Sequence, residues 1–234
     1  RYTVHNTMRG AALHGNAEKI RSLAGRDDVE RITPIVAKKS MNAYSDIDSK
    51  AVQAWAESTG YTGKGVKIAV VDSGIDYTHT DFGGPGTKEA YEKAKTLTDL
   101  PDAESGLIDR SKVVGGIDLV GDDYNALDAG STPKPDNNPL DCRPEGYGTG
   151  GHGTHVAGII GARGNNGMGI VGVADLARVQ PVRVLGRCGG RTSDIADAII
   201  WAAGGHVDGV PDNTYPAKII NMSIGTVTRC PAAY

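Results

Sequence analysis

The sequence predicts an α/β fold in which helices cover a mostly parallel sheet. Three short apolar runs, at residues 66–71, 177–185 and 218–225, have the length and composition of buried parallel strands. A run of small residues over 152–162, between the first two, is typical of a closely packed helix. Thirty-three glycines against one phenylalanine indicate many turns and a close approach of the elements.

Length, charge and cysteine content exclude several classes of function. The 234 residues can bury one sizeable core, and a net charge of −3 with no basic block argues against nucleic acid as a partner. No apolar run reaches the roughly 18 to 20 residues that span a bilayer, so we expect no membrane segment. Three cysteines (Cys142, Cys188, Cys230) are too few for a disulfide scaffold and lack zinc-finger spacing. The chain starts with neither Met nor a signal peptide, so we expect its gene to begin further upstream.

Residues 1–42 form a predicted small α+β unit of their own. Residues 16–25 indicate a short helix with Ile20, Leu23 and Ala24 on one face and Gly25 as its stop. Residues 29–36 alternate like a strand, and Pro34 favours an edge position. We expect the main domain to occupy residues 43–234, opening with a short helix that contains Ala51, Val52 and Trp55.

The first strand of the main domain ends in a carboxylate. Asp72 follows the apolar run at 66–71 and precedes a Ser-Gly turn. Parallel sheets place their functional groups at this carboxyl-terminal edge. Asp72 is therefore the first candidate site residue.

Residues 83–150 form a long polar insertion. Within it we predict a strand over 112–120 and a loop over 122–142 that is dense in Asp, Asn and Pro. Its acidic clusters fit either calcium ligands or a solvated surface, and the solvated surface is the more common case.

His152 opens the small-residue helix and has glycines on both sides. A carboxylate that orients an imidazole, and an imidazole that takes a proton from a nucleophile, are two members of a catalytic triad. His155 lies three residues further on, but the zinc-protease pattern needs a spacing of four and a glutamate. We therefore interpret His155 as a structural histidine.

Three motifs resemble those of the subtilisin-like serine proteases (subtilases): Asp-Ser-Gly at 72–74, His-Gly-Thr-His at 152–155 and Asn-Met-Ser-Ile-Gly at 221–225. The resemblance implies a three-layer α/β/α fold, Asp72 as the orienting carboxylate and His152 as the general base. The family's serine motif, Gly-Thr-Ser-x-Ala/Ser-x-Pro, does not occur in residues 1–234. The resemblance therefore identifies residues 43–234 as the N-terminal portion of a catalytic domain.

The family resemblance implies a secreted serine endopeptidase that acts on polypeptides and needs no cofactor for its chemistry. An alternative is a catalytically inactive binding module with the same fold. A third reading, an α/β protein that binds phosphate or nucleotide at Asp72, lacks the glycine-rich loop such sites require. We expect residues 1–234 expressed alone to aggregate and to be inactive on casein.

The resemblance also assigns the walls of a substrate cleft. One wall is expected at Gly189, Gly190, Arg191 and Thr192, and the other at Ser223, Ile224 and Gly225. Substrate would bind between them as an added β-strand. Cys188 and Cys230 lie near these walls, which would allow a disulfide between them. From the residues alone, Thr192 or Ser193 is expected to cap a helix that begins at Ile195.

Two further features follow from the resemblance and leave alternatives open. Asp81 matches a ligand of a structural calcium ion, with Asn166 in the loop 164–170 as a second ligand. The alternative for Asn166 is a tight Asx turn. Residues 1–42 are similar to the end of a propeptide, which in the family assists folding and then inhibits the enzyme. The alternative is a small appendage with another function.

Overall fold

The chain divides into two compact units, Arg1–Met41 and Asn42–Tyr234. This division lies one residue from the boundary expected from the sequence, and the propeptide assignment of the first unit stays a prediction. Among the residues described, no helix is both long and apolar enough to cross a bilayer. The computed structural model describes residues 2–4, 10–12, 16–29, 32, 49–56, 60–142 and 151–225.

The first unit contains a hairpin and a short helix. Strands β1 (Tyr2–Val4) and β2 (Gly10–Ala12) pair antiparallel, which the sequence did not predict. The predicted helix is present as α1 (Ala17–Arg21), and it continues as a 3₁₀ turn over Ser22–Gly25. Asn16 caps it, since its Oδ1 accepts the amides of residues 18 and 19 at 2.9 and 3.2 Å. The strand predicted over 29–36 lies mostly outside the described residues.

The second unit is built around a parallel sheet. Its four strands lie in the order β4-β5-β3-β6, and every neighbouring pair is parallel. In chain order the described elements are α2 (Ala51–Trp55), β3 (Lys67–Asp72), a 3₁₀ turn (Thr80–Phe82), α3 (Lys88–Ala94), a second 3₁₀ turn (Ala103–Ser105), β4 (Ile117–Asp118), α4 (His152–Gly161), β5 (Arg178–Arg183), α5 (Thr192–Ala202) and β6 (Ile219–Asn221).

Two apolar layers cover the two faces of this sheet. Because successive strand residues point to opposite faces, Val70 packs with Val156 and Ala157 of α4. Val71 packs on the other face with Ala198 and other residues of α5. The predicted α/β/α arrangement with a mostly parallel sheet is thus confirmed.

The strand predicted over 112–120 is much shorter in the structure. Val114 N donates to Val179 O, but the ladder then breaks and resumes only at β4. The backbone groups of Val179 and Pro181 in β5 both point toward the segment 112–118, and Pro181 has no amide hydrogen to donate to it. The interruption falls at Gly115 and Gly116, opposite that missing donor.

Two other boundaries differ from the sequence prediction. Helix α5 begins at Thr192, not Ile195, and neither Thr192 nor Ser193 caps it, because the N-cap is Arg191 with no side-chain cap bond. The last predicted strand is shortened to β6, and Ile219 is 48% exposed. Among the described strands β6 lies at the sheet edge, which explains why it is not the buried strand that its composition suggested.

The insertion contributes to the core as well as to the surface. It contains α3, which the sequence analysis missed, and its apolar side chains Val113, Ile117 and Leu140 are fully buried. Part of its acidity is internal. Asp118 and Asp122 both accept from Arg183, at 2.8 and 2.5 Å, and Arg183 is only 1% exposed. Asp118 is buried and fits neither the calcium nor the solvated-surface reading, whereas the Asp122 side chain is 59% exposed. Both carboxylates balance the charge of the buried guanidinium.

Candidate active site

Asp72 and His152 form a hydrogen-bonded pair at the carboxyl end of β3. Nδ1 of His152 lies 2.8 Å from Oδ1 and 3.0 Å from Oδ2 of Asp72. Asp72 is fully buried, whereas the His152 side chain is 47% exposed. With Nδ1 held by the carboxylate, Nε2 on the other side of the ring is the nitrogen that can exchange a proton with a bound group. The structure therefore brings together the two residues that the sequence placed 80 positions apart.

Glycines allow the elements that carry this pair to meet. A Cβ on Gly153 would overlap the carbonyl oxygen of Gly74 and lie 3.1 Å from the Cβ of Asp72. Gly74 has φ +99°, and a Cβ there would lie 2.6 Å from Pro139 O. The first turn of α4 thus packs directly on the turn that follows β3, which sets the distance between imidazole and carboxylate.

Asp141, which the sequence analysis placed in an acidic loop and assigned no role, lies beneath both motifs. Its side chain is buried and accepts hydrogen bonds from Ser73, Gly151 and Thr154. No sequence signal separates this aspartate from the other acidic residues of the insertion, because its partners come from distant positions.

His155 differs from expectation. It is exposed to solvent on α4, so it is not packed within the domain as a structural histidine would be. It lines an open cavity of about 620 Å³ beside α4, together with His79, Asp81 and Asp141. Among the described histidines, only His152 makes a hydrogen bond to Asp72.

The two segments expected to bind substrate follow strands on either side of β3. Residues 189–192 come after β5 and lead into α5, while Ser223, Ile224 and Gly225 follow β6 after one intervening residue. Because β5 and β6 flank β3 and run parallel to it, both segments leave the sheet at the edge that carries Asp72. The position fits the expected walls, and their role stays a prediction.

The insertion braces the first of these segments. Tyr124 O accepts Arg187 N at 2.8 Å, and Arg187 O accepts Ala126 N at 3.1 Å. The buried hydroxyl of Tyr124 donates to Asp194 Oδ2 at 2.6 Å, and the guanidinium of Arg191 lies 5.4 Å from the Tyr124 ring centroid. These contacts tie the segment 187–194 to the insertion. Sequence reasoning did not foresee this connection.

The expected calcium ligands are brought only partly together. Oδ1 of Asp81 is buried without a hydrogen-bond partner, and Gly169 lies against this oxygen. Asn166 instead closes an Asx turn, with its Oδ1 accepting Met168 N at 3.0 Å. Within the described residues, no group of three His, Cys, Asp or Glu side chains is placed to hold a metal. An unpartnered carboxylate oxygen beside a glycine-rich loop fits a calcium site in which backbone carbonyls supply most ligands.

The cysteines add little to the site in the described region. Cys142 is half-buried and Cys188 exposed, and neither pairs with another cysteine of the described region. Burial raises the pKa of Cys142 to about 12, so this thiol is a poor nucleophile at neutral pH. Cys230, and with it the expected pairing with Cys188, lies outside the described residues.

Comparisons with known proteins agree on one family. A model described as "Subtilase family", Peptidase_S8, matches residues 63–233. An "Extracellular basic protease" of Dichelobacter nodosus is 40% identical over 82% of this chain and 29% of that protein. An "Extracellular protease" of Xanthomonas campestris pv. campestris is 39% identical over 76% of the chain and 27% of that protein. The chain therefore spans less than a third of the length of these two relatives.

A solved structure shows the same relationship in three dimensions. A protease of Pseudoalteromonas arctica superposes with a TM-score of 0.52 and 36% sequence identity, over 74% of this chain and 44% of that one. The match to the family model covers most of the chain, including the Asp72 and His152 motifs. The parallel sheet, the paired aspartate and histidine, and these similarities together establish that the chain belongs to the subtilase family.

Proposed function

We propose that the protein containing this chain is a serine endopeptidase in which Asp72 orients His152 and His152 acts as the general base. The observation that carries the proposal is the 2.8 Å bond from His152 Nδ1 to a fully buried Asp72. The bond fixes the tautomer with a free Nε2 and stabilises the imidazolium that forms when a serine is deprotonated. Since the family's serine motif does not occur in residues 1–234, we assign the nucleophile to the whole protein and not to this chain.

The substrate is proposed to be an extended polypeptide. It would lie between Gly189–Thr192 and Ser223–Gly225, pairing its backbone with these segments as an added strand. Two relatives are named extracellular proteases, which supports secretion of this protein. The first unit is proposed to be the end of a propeptide that inhibits the enzyme.

Calcium is proposed as a structural ion only. Asp81 and carbonyls of the loop 164–170 would hold it and so tie the turn after β3 to the loop after α4. Asn166, whose side-chain oxygen is already used in its Asx turn, would contribute through its backbone if at all.

The test compares two histidines of one helix in the complete gene product. His152→Ala should lower the rate of casein hydrolysis by about 10⁴-fold or more, with circular dichroism unchanged. His155→Ala is the matched control and should retain activity, because His155 is exposed and makes no bond to Asp72. Equal rates for the two variants would refute the base assignment.

The alternative, an inactive binding module with this fold, predicts a different result. The unmodified gene product would then be folded, would not hydrolyse casein and would not react with a fluorophosphonate probe. Residues 1–234 alone are expected to be inactive on casein under either reading, so the complete product decides between them.

A further inference from the structure

The carboxylate of Asp141 bonds to the first turn of the histidine helix. Its Oδ1 accepts Gly151 N at 2.9 Å, and its Oδ2 accepts Thr154 N at 3.1 Å and Thr154 Oγ1 at 2.7 Å. The N-cap residue of α4 is Gly151, which has no side chain to satisfy these amides. Asp141 supplies that missing cap from the end of the insertion.

The same carboxylate bonds to the turn that follows Asp72. Oδ1 of Asp141 accepts Ser73 Oγ at 3.1 Å, and Ser73 Oγ in turn accepts Gly153 N at 2.9 Å. Ser73 N donates to Asp72 Oδ1 at 2.7 Å, the oxygen that also meets His152. One buried side chain therefore connects the residues next to His152 with the residue next to Asp72.

The bonding pattern favours the ionised form of Asp141. The hydroxyls of Ser73 and Thr154 accept amide hydrogens, from Gly153 and from Asp76 at 2.9 Å, and each is free to donate its own hydrogen to the carboxylate. All four groups around Asp141 thus donate, and a protonated acid would leave one of them unmatched. Burial raises the pKa of Asp141 above its usual range, and these four bonds offset only part of that rise.

We propose that Asp141 is a positioning residue, which sets the geometry of the Asp72–His152 pair by clamping the start of α4 to the turn after β3. The inference rests on the proposed function and deepens it. Among the described residues, the side chain of Asp141 bonds to Ser73, Gly151 and Thr154 and not to His152 itself. It acts by keeping two separately anchored side chains at hydrogen-bonding distance, where a displacement of about 1 Å costs roughly 100-fold in rate.

The test is Asp141→Asn in the complete gene product. The amide keeps the volume but places an NH₂ against a donor on one side of the clamp. We expect kcat to fall about 10- to 100-fold with KM changed less than twofold. The matched control is Asp136→Asn, an insertion carboxylate that accepts Asn138 N at 2.8 Å and has no bond to either motif. It should leave both constants unchanged.

Nuclear magnetic resonance separates positioning from simple stabilisation. In protein labelled with ¹⁵N-histidine, the Nδ1 proton of His152 is assigned by its loss in His152→Ala. This resonance should move upfield and exchange faster in Asp141→Asn, and should be unchanged in Asp136→Asn.

Two outcomes overturn the proposal. Unchanged kcat together with an unchanged His152 signal would reduce Asp141 to a helix cap, whatever happens to the melting temperature. If Asp141→Asn does not fold, Ser73→Ala tests the same clamp, because it removes the Ser73 bond and keeps those to Gly151 and Thr154. An unchanged His152 signal there would also refute it. A gene product without protease activity would refute the proposed function alone, since the His152 signal still reports on the clamp.

Discussion

Replacing Gly153 with alanine should separate Asp72 from His152. The new Cβ would overlap the backbone oxygen of Gly74, at a separation well under 3.0 Å. Real Cβ atoms essentially never lie that close to a neighbouring atom. That obstacle is backbone, so it cannot rotate away as a flexible side chain would. Helix α4 must therefore move from the turn after β3, and His152 moves with it.

The size of the effect follows from this overlap. Relief requires a shift on the order of 1 Å, which stretches the 2.8 Å bond between His152 and Asp72 beyond hydrogen-bonding length. We expect kcat on a peptide substrate to fall about 100-fold. Overpacking of this kind costs about 1–3 kcal/mol, or roughly 2–10 °C in melting temperature for a domain of this size.

Gly158→Ala provides the matched control on the same helix. Among the described residues a Cβ at Gly158 meets only Ile170 Cδ1, at an ordinary 3.5 Å. Alanine should stabilise the helix by about 1 kcal/mol and leave kcat unchanged. Calorimetry and steady-state kinetics on the two variants give the comparison. A Gly153→Ala enzyme with normal kcat would show that the close approach of helix and turn does not set the catalytic geometry.

Three further perturbations test other parts of the structure. Tyr124→Phe removes the bond to Asp194, so KM for extended peptides should rise roughly three- to tenfold at constant kcat. Tyr77→Phe is the control and should leave KM unchanged, because the Tyr77 hydroxyl bonds to Asn138, elsewhere in the insertion. Equal KM values for the two variants would contradict a brace on the cleft wall. Burial lowers the pKa of Lys112 from 10.5 to about 8. At pH values between these two, Lys112 is protonated in the unfolded chain but not in the folded one. The contribution of Lys112 to the free energy of unfolding therefore rises with pH across this window. Urea midpoints at pH 7.5 and 10 should therefore rise less in Lys112→Met than in the unmodified protein, and identical pH dependence would disprove the shift. Calcium at about 100 times its Kd should raise the melting temperature by roughly 5–10 °C; Asp81→Ala should abolish the increase, and its persistence would exclude Asp81 as a ligand.

Sequence patterns specified those parts of the protein that depend on local order. The apolar run before Asp72 and the small-residue run after His152 each indicate a buried element that carries a polar side chain at its end. These patterns are readable because hydrophobic periodicity and turn residues are properties of the local sequence. Both elements formed where expected, as β3 and α4. The family motifs within them then identified the aspartate and histidine of the candidate site.

Boundaries that depend on a neighbouring chain segment were not visible in the sequence. The strand expected over 112–120 is interrupted because Pro181, some 60 residues later, offers no amide to pair with it. The start of α5 moved to Thr192 because the capping pattern of a single segment does not fix where its backbone turns helical.

The role of Asp141 was decided by tertiary structure alone. In sequence it is one acidic residue among many in a polar insertion, ten residues before Gly151 and 68 after Ser73. Only the folded chain brings it between the two motifs, where four protein donors surround its buried carboxylate. The residue types and their local spacing thus determined which groups can do the chemistry, while the long-range packing decided which distant side chain holds them in place.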